Sequence, residues 1–156
     1  MTILVTGGAG YIGSHFVRHL ERKKIDFVIL DNFSTGHKKF VKNKKFYELD
    51  LKDFDEIREK LRDLDITSIV HFAGLSIVSD SQKMKKEYYE NNVLASKNLA
   101  NFAIEKKIRK FIFSSSASVY GIPEQIPIKE NHPTRPINNY GKNKLEVENM
   151  LKELSM

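Results

Sequence analysis

Three side chains in the last third of the chain have the types and spacing needed to take a proton from a hydroxyl group. Tyr140 and Lys144 are four residues apart, and Ser116 lies upstream in a serine-rich run. A tyrosine with a pKa of about 10 is a weak base at neutral pH unless a nearby cation stabilises the phenolate. Residues four apart on a helix share a face, so the lysine would lie beside the tyrosine. With the serine hydroxyl bridging a substrate oxygen and the phenol, this trio predicts general base catalysis.

A glycine-rich turn near the start of the chain gives the trio its context, because an isolated Tyr-x-x-x-Lys match is weak. Gly7, Gly10 and Gly13 follow the apolar run 3–5 and precede a helix-like stretch over 14–24. Glycines allow a tight turn and a close backbone approach to a pyrophosphate, and a helix N-terminus supplies N–H groups and a positive dipole end. The order of strand, glycine turn and helix therefore predicts a dinucleotide site.

Asp31 ends the apolar run 27–30 and lies 18 residues after Gly13. An acidic residue at this distance accepts hydrogen bonds from the adenosine ribose, and its charge repels a 2'-phosphate. Lys38 and Lys39 follow and could attract such a phosphate. Because the acid is the better-attested determinant, the sequence favours NAD over NADP.

The composition predicts a single domain over residues 1–156 and excludes some kinds of site. The chain has 156 residues, no cysteine and a formal net charge of +6. Disulfides and thiolate metal sites are excluded. The lysines are spread along the chain, which favours a solvated surface over nucleic acid binding. No leader and no apolar stretch near the roughly 18 residues of a membrane helix is seen, so a cytoplasmic protein without a membrane contact is expected.

The histidines do not suggest a metal site. His15 and His19 are four apart on a predicted helix, but no glutamate and no third ligand accompany them, so no metal is expected. His71 ends an apolar strand and is expected to be a hydrogen-bonded residue near the core rather than a base.

Apolar runs separated by helix-like stretches predict an α/β fold with a parallel sheet covered on both faces. Amphipathic helices are expected over 53–64 and 85–107. The segment 121–139 holds all four prolines and is expected to be a loop over the active site that delivers Tyr140 to the start of the last helix. The five runs lie at 3–5, 27–30, 45–49, 66–72 and 110–114.

Along its whole length the chain resembles the UDP-glucose 4-epimerase family of the extended short-chain dehydrogenase/reductase superfamily. The matching blocks, in family order, are 4–15, 31–32, 71–75, 88–92, 113–121 and 140–144. The resemblance implies a Rossmann-type doubly wound parallel sheet. That sheet would be incomplete relative to the family, whose chains continue beyond residue 156 into a substrate domain.

The resemblance also implies a role for each matching residue. Ser116, Tyr140 and Lys144 would be catalytic, and the last two would also contact NAD. Gly7, Gly10, Tyr11, Ile12 and Gly13 would lie along the pyrophosphate, Asp31 and Asn32 on the adenosine ribose, Asp50 and Leu51 near the adenine, and Phe72, Ala73, Gly74, Leu75 and Asn91 toward the nicotinamide.

The implied reaction is the redox-neutral interconversion of UDP-glucose and UDP-galactose at C4 through a transient 4-keto sugar, with tightly held NAD. Related dehydratases place acidic residues in the serine run, and this chain has no carboxylate between Ser114 and Tyr120, which disfavours dehydration. Many family members have a lysine where Ser76 stands. A homodimer is implied, with the helix over 85–107 and the helix opening at Tyr140 pairing with their symmetry mates.

Two alternatives stay open at this point. The chain could be another NAD-dependent nucleotide-sugar epimerase or decarboxylase, because residues beyond 156 would select the sugar. It could also be a non-catalytic NAD-binding fragment, since the family's substrate domain is absent from it.

Overall fold

The computed structural model describes residues 2–155, in which five parallel strands form one sheet in the order β3-β2-β1-β4-β5. The strands are β1 (Thr2–Thr6), β2 (Phe27–Asp31), β3 (Phe46–Glu48), β4 (Ile66–His71) and β5 (Lys110–Phe113). Each lies on one of the predicted apolar runs. The chain moves outward from β1 to β3 and then returns to the other side with β4 and β5. This is the strand order of a Rossmann-type α/β fold, which confirms the predicted fold class.

The carboxyl ends of the central strands meet at one edge of the sheet. Thr6 is paired with Leu30 on one side and with His71 on the other. Leu4 and Val5 on the innermost strand are fully buried, as expected for a parallel sheet covered on both faces. Ligands of such sheets bind outside the carboxyl ends, where the strand order reverses. Here that point lies between β1 and β4.

The predicted helices are present, with some differences at their ends. The helices are α1 (Tyr11–Arg22), α2 (Phe54–Lys60), α3 (Val78–Lys83), α4 (Lys85–Tyr89), α5 (Ala95–Glu105) and α6 (Asn139–Leu154). A π-helical turn, Glu90–Leu94, joins α4 to α5, so the helix expected over 85–107 contains an irregular turn. Helix α1 begins at Tyr11 because Gly10 is its N-cap. Helix α3 was not predicted, since its buried residue is Ser81 rather than an apolar side chain.

The chain forms two compact units. The first comprises the chain up to Ala73 together with Asn98–Ser114, and it holds the whole sheet. Its core contains Val17 and Leu20 of α1 packed with Val5 and Ile29 of the sheet. The second comprises Gly74–Lys97 and the chain from Ser115 onward. The predicted site residues are divided between them.

The proline-rich part of the second unit is a loop, as predicted. Residues 121–138, all of them described, contain neither a helix nor a strand. Helix α6 follows at once, and its N-cap Asn138 accepts a hydrogen bond from the Gly141 N–H at 2.7 Å. None of the helices in the described part of the chain is long and apolar enough to cross a membrane.

Candidate active site

The glycine turn between β1 and α1 packs directly against the chain that leaves β4. Gly7 has a φ of +71°, and a Cβ added there would lie 2.5 Å from the Ala73 nitrogen. A Cβ at Gly13 would lie 2.1 Å from the Gly7 carbonyl oxygen. Neither position can accept a side chain, and Gly7 also needs the left-handed backbone that glycine allows. The absence of a side chain at Gly7 lets the ends of β1 and β4 approach closely, and the absence of one at Gly13 lets α1 pack against Gly7.

The N-terminus of α1 is open to a ligand. The N-cap, Gly10, supplies no capping side chain, and the first turn has no acidic residue. Tyr11 and Ile12, which the resemblance places on the pyrophosphate, are 81% and 60% exposed. A helix end of this kind leaves its first N–H groups for an anion, which its dipole also favours.

Asp31, at the end of β2, fixes the backbone of the glycine turn. One carboxylate oxygen accepts the Ala9 N–H at 2.9 Å and the other accepts the Phe33 N–H at 2.8 Å. The residue is 6% exposed. A carboxylate oxygen has more than one lone pair, so these bonds leave capacity for a ribose hydroxyl. The sequence analysis predicted a ribose contact for this residue and did not identify the two backbone contacts.

Hydrogen bonds hold Asn32, expected on the adenosine ribose, and the two residues expected near the adenine. Asn32 Nδ2 donates to an Asp50 carboxylate oxygen at 3.1 Å, which links the ends of β2 and β3. Asn98 Nδ2 donates to the carbonyl oxygens of Leu51 and Lys52, each at 3.0 Å. Asn32, Asp50 and Leu51 are thus brought to one edge of the first unit.

The lysines near Asp31 are engaged elsewhere. Lys38 forms an ion pair with Glu48 at 2.6 Å, and its Nζ lies 5.1 Å from the centre of the Phe33 ring. Lys39 Nζ lies 5.2 Å from the centre of the Phe40 ring. Exposed ion pairs are weak, but an ammonium beside a carboxylate attracts a phosphate less than an isolated one does.

The end of β4 is apolar and anchored. His71 is buried, and its Nδ1 lies 2.6 Å from Thr6 Oγ1, a hydrogen bond that joins β4 to β1. This agrees with the expectation of a hydrogen-bonded residue near the core. The next residue, Phe72, contacts Phe16 of α1 with ring centres 5.4 Å apart.

In the second unit, Leu75, which is expected near the nicotinamide, is held by Asn92, a residue that the sequence analysis did not single out. Asn91 is half-buried and donates to the Glu87 carbonyl at 2.9 Å. Its neighbour Asn92 is buried and makes two hydrogen bonds to the Leu75 backbone, at 2.7 and 2.9 Å. Gly74, just before Leu75, has a φ of +145°.

The three predicted catalytic residues lie in the second unit on two adjoining elements. Tyr140 is in the first turn of α6, and Lys144 Nζ, one turn later, lies 5.7 Å from the centre of its ring. Ser116 caps the short 3₁₀ turn Ala117–Val119. A Cβ at Gly141 would lie 2.5 Å from the carbonyl oxygen of Ser118, so α6 contacts this turn directly. The arrangement places a cation beside a phenol, with a serine on the adjoining turn.

The buried Ser81 and the half-buried Asn139 hold the backbone at Tyr140 in place. Its backbone N–H donates to Ser81 Oγ at 3.2 Å, and Ser81 Oγ donates to the Val78 carbonyl at 2.6 Å. Asn139 donates to the Ser81 carbonyl oxygen at 3.1 Å. The backbone at the start of α6 is therefore fixed to α3, an element with no sequence signal of its own.

A carboxylate that the sequence analysis missed lies beside the serine run. Glu148 accepts a hydrogen bond from Ser115 Oγ. It lies four residues after Lys144, so the helical spacing that links Tyr140 to Lys144 would have found it. Asn143 is buried on the same helix, and its Nδ2 has no hydrogen-bond partner within residues 2–155.

Lys144 is a buried ionisable group on α6. The residue is 6% exposed, and burial lowers the pKa of its ammonium group to about 8 from 10.5. At neutral pH the group remains mainly charged, which supplies the cation that the phenol requires. Across the described residues, no group of three or more His, Cys, Asp or Glu side chains could hold a metal ion.

Comparison with known proteins identifies relatives over nearly the whole chain. The profile of the NAD dependent epimerase/dehydratase family matches residues 3–156. The UDP-glucose 4-epimerase of Lactobacillus helveticus is 43% identical over 152 residues, which is 97% of this chain and 46% of the relative. The chain spans about half the length of the curated relatives it matches.

Solved structures agree with this likeness. The UDP-Glc/GlcNAc 4-epimerase of Campylobacter jejuni is 38% identical, with a TM-score of 0.95, over 99% of this chain and 49% of the other. The UDP-glucose 4-epimerase of Bifidobacterium longum, solved in complex with NAD+ and UDP, is 35% identical, with a TM-score of 0.92, over 99% of this chain and 49% of the other.

Burial of Lys144 predicts a stability that depends on pH. Below pH 8 the ammonium is charged in the folded and unfolded chains, and burying it is unfavourable. Between pH 8 and 10.5 the unfolded chain keeps a proton that the folded chain has lost, so stability rises with pH. Lys144→Met should therefore raise the free energy of unfolding by up to about 3 kcal/mol at pH 7, and the gain should fall below about 1 kcal/mol by pH 10.

Urea denaturation of both proteins from pH 7 to 10 measures this difference. Lys142→Met, at an exposed position on the same helix, is the matched control and should show little pH-dependent difference. A difference between Lys144→Met and the unmodified chain that does not change with pH would contradict the prediction.

Proposed function

The chain belongs to the NAD dependent epimerase/dehydratase family, and we propose that it is the cofactor-binding and catalytic part of an enzyme that interconverts UDP-glucose and UDP-galactose at C4. Residues 1–156 would form its NAD-binding domain, and a UDP-hexose would be its substrate. The observation that carries the proposal is the joint presence of the bare glycine turn and the Tyr140–Lys144 pair. A cytoplasmic location stays a prediction from the sequence.

The glycine turn fits the diphosphate of a dinucleotide. Side chains are excluded at Gly7 and Gly13, and the start of α1 has neither a capping side chain nor an acid. Tyr11 and Ile12 would place their backbone against the pyrophosphate. Asp31 and Asn32 would bind the adenosine ribose, with Asp50 and Leu51 near the adenine. Beyond the end of β4, Phe72, Ala73, Gly74, Leu75 and Asn91 would contact the nicotinamide half.

The trio of Ser116, Tyr140 and Lys144 would move the proton of the sugar hydroxyl. Bound NAD would accept a hydride from C4 and return it to the opposite face of the sugar. Tyr140 would take the proton of the 4-hydroxyl and later give it back, while the Lys144 ammonium stabilises the phenolate. The Ser116 hydroxyl would hydrogen-bond the same sugar oxygen. The 4-keto sugar would turn over between the two transfers.

A second candidate function is supported by the kinds of relative found. The similar Campylobacter jejuni protein is a UDP-Glc/GlcNAc 4-epimerase. A related NAD-dependent epimerase or decarboxylase acting on another nucleotide sugar would use the same trio, since the chemistry at the hydroxyl is shared. A non-catalytic NAD-binding fragment would need the glycine turn and Asp31 but not the buried Lys144.

The proposed ribose contact predicts a preference for NAD. The unmodified chain should bind NAD more tightly than NADP, since the Asp31 carboxylate repels a 2'-phosphate. Asp31→Ala should weaken NAD binding by about tenfold or more, because the ribose and two backbone N–H groups lose their acceptor. NADP binding should weaken less, so the ratio of NAD affinity to NADP affinity should be smaller in Asp31→Ala than in the unmodified chain.

Isothermal titration calorimetry measures both affinities. Asp26→Ala removes an exposed carboxylate just before the opposite end of β2 and should change neither. Equal affinities of the unmodified chain for NAD and NADP would contradict the proposal.

Turnover tests the role of Tyr140. The 156-residue chain should convert UDP-galactose at a negligible rate, because hydride transfer requires a sugar held at near-attack distance and relatives have about twice this length. A chimera carrying the C-terminal half of the Lactobacillus helveticus relative should convert it. Tyr140→Phe in that chimera should lower kcat by at least about a hundredfold and leave bound NAD unchanged.

The matched control is Tyr47→Phe, on β3 in the other unit, which should keep its activity. Full turnover by the 156-residue chain would contradict the prediction that these residues alone do not hold the sugar for hydride transfer. Full activity of the Tyr140→Phe chimera would remove the proposed base.

We also propose a homodimer, supported by apolar side chains on the surface of the second unit. Leu94, in the π-helical turn, is 42% exposed, and Leu145 and Met150 on α6 line a shallow surface groove. A second copy of the chain would cover these side chains. The helical segment 85–105 and α6 of each copy would pair with the same elements of the other copy. Light scattering should report twice the 18.0 kDa mass of one chain.

Leu94→Glu should shift the protein to monomers, because a charge would be buried in the interface. Ile25→Glu, at a position that is 41% exposed in the first unit, is the control and should stay dimeric. A single 18.0 kDa species at high concentration for the unmodified chain would contradict the dimer.

A further inference from the structure

The segment after β4, Gly74–Ile77, lies at the surface but is fixed from beneath by buried side chains. Gly74, Ser76 and Ile77 are exposed. A Cβ on Gly74 would lie 2.9 Å from Asn92 Oδ1, so the backbone of this segment touches the side chain of Asn92. A surface segment held this closely has a defined backbone position.

Asn92 binds the Leu75 backbone in both directions. Its Oδ1 accepts the Leu75 N–H at 2.7 Å, and its Nδ2 donates to the Leu75 carbonyl oxygen at 2.9 Å. The side-chain amide carries both the acceptor and the donor that this pairing needs. The residue is 3% exposed, so loss of either bond would leave a buried polar group unpaired, which is unfavourable.

The π-helical turn Glu90–Leu94 places Asn92 in contact with this segment. Asn92 lies in the π-helical turn, and Ser96 Oγ donates to its carbonyl oxygen at 2.6 Å. Such turns are rare and occur often at functional sites. Tyr88, four residues earlier on the same face, is also buried and donates from Oη to the Ile77 carbonyl oxygen at 2.7 Å. The two side chains hold both ends of the Leu75–Ile77 segment.

We propose that Asn92 is a positioning residue for the nicotinamide half of the dinucleotide. The inference rests on the proposed function. A dinucleotide whose diphosphate binds at the glycine turn extends past the end of β4, where the strand order reverses. Ala73, whose nitrogen lies against Gly7, leads directly into Gly74 and Leu75. Asn92 acts through the Leu75 backbone, not by touching the cofactor, and it sets the surface on which the nicotinamide lies.

The test compares NAD with ADP-ribose, which has the adenosine and the diphosphate but no nicotinamide. In Asn92→Asp, one oxygen still accepts the Leu75 N–H, but the other faces the Leu75 carbonyl oxygen without a proton to donate. Calorimetry at pH 8 should show NAD affinity lowered by about tenfold and ADP-ribose affinity changed by less than about twofold. At pH 5 the introduced carboxyl can protonate and donate, so the NAD loss relative to ADP-ribose should shrink.

Two further variants sharpen the result. Tyr88→Phe keeps the ring but removes the hydroxyl donor to Ile77, and it should lower NAD affinity in the same selective way, by a smaller factor. Asn101→Asp makes the same chemical change on α5 and should alter neither affinity. Retained ADP-ribose binding also shows that each variant is folded.

The outcomes separate the two proposals. An unchanged NAD affinity in Asn92→Asp, or an equal loss for NAD and ADP-ribose, overturns the positioning role while the proposed function stands. An unmodified chain that binds neither ligand overturns the proposed function, and this inference falls with it.

Discussion

The close approach of bare backbone at the ends of β1 and β4 is the constraint on which the cofactor half of the molecule depends. Gly7 lies where any side chain would collide with Ala73, and Gly13 lies where any side chain would collide with Gly7 itself. The start of α1 can therefore lie at the edge of the sheet with its N–H groups outward. Asp31 then stabilises the turn by accepting the Ala9 N–H, so the residue proposed to bind the ribose also shapes the turn.

The second unit uses the same device for a different purpose. Because Gly141 has no side chain, α6 contacts the 3₁₀ turn at Ser118. Ser116, the N-cap of that turn, is thereby brought next to the helix that carries Tyr140 and Lys144. The burial that positions Lys144 also lowers the pKa of its ammonium to about 8. A buried cation destabilises the fold at neutral pH, and perturbed ionisable groups of this kind cluster at functional sites.

Local patterns in the sequence predicted the strands and the glycine turn because their causes are local. Apolar runs mark buried strands, and glycines mark the turn and the close approach between strands. Helix α3 could not be predicted, because Ser81 is paired with the backbone of Tyr140, far along the chain. The hydrogen bonds of Asn92 could not be predicted either, because they are made to the backbone of Leu75 and leave no pattern of side chains. Ser81, buried without being apolar, gives no periodic signal. Glu148 was within reach of helical spacing, since it continues the series of Tyr140 and Lys144.

The central claim is the proposal that the glycine turn at the carboxyl edge of the sheet binds a dinucleotide. The most direct measurement is an NMR titration of the ¹⁵N-labelled chain with NAD, following the backbone amides. The account predicts saturable shifts at Gly7–Gly13, at Asp31 and Asn32, and at Phe72–Leu75, with the amides of α2 unchanged. Shifts absent from the glycine turn, or confined to α2 and the end of α5, would contradict it.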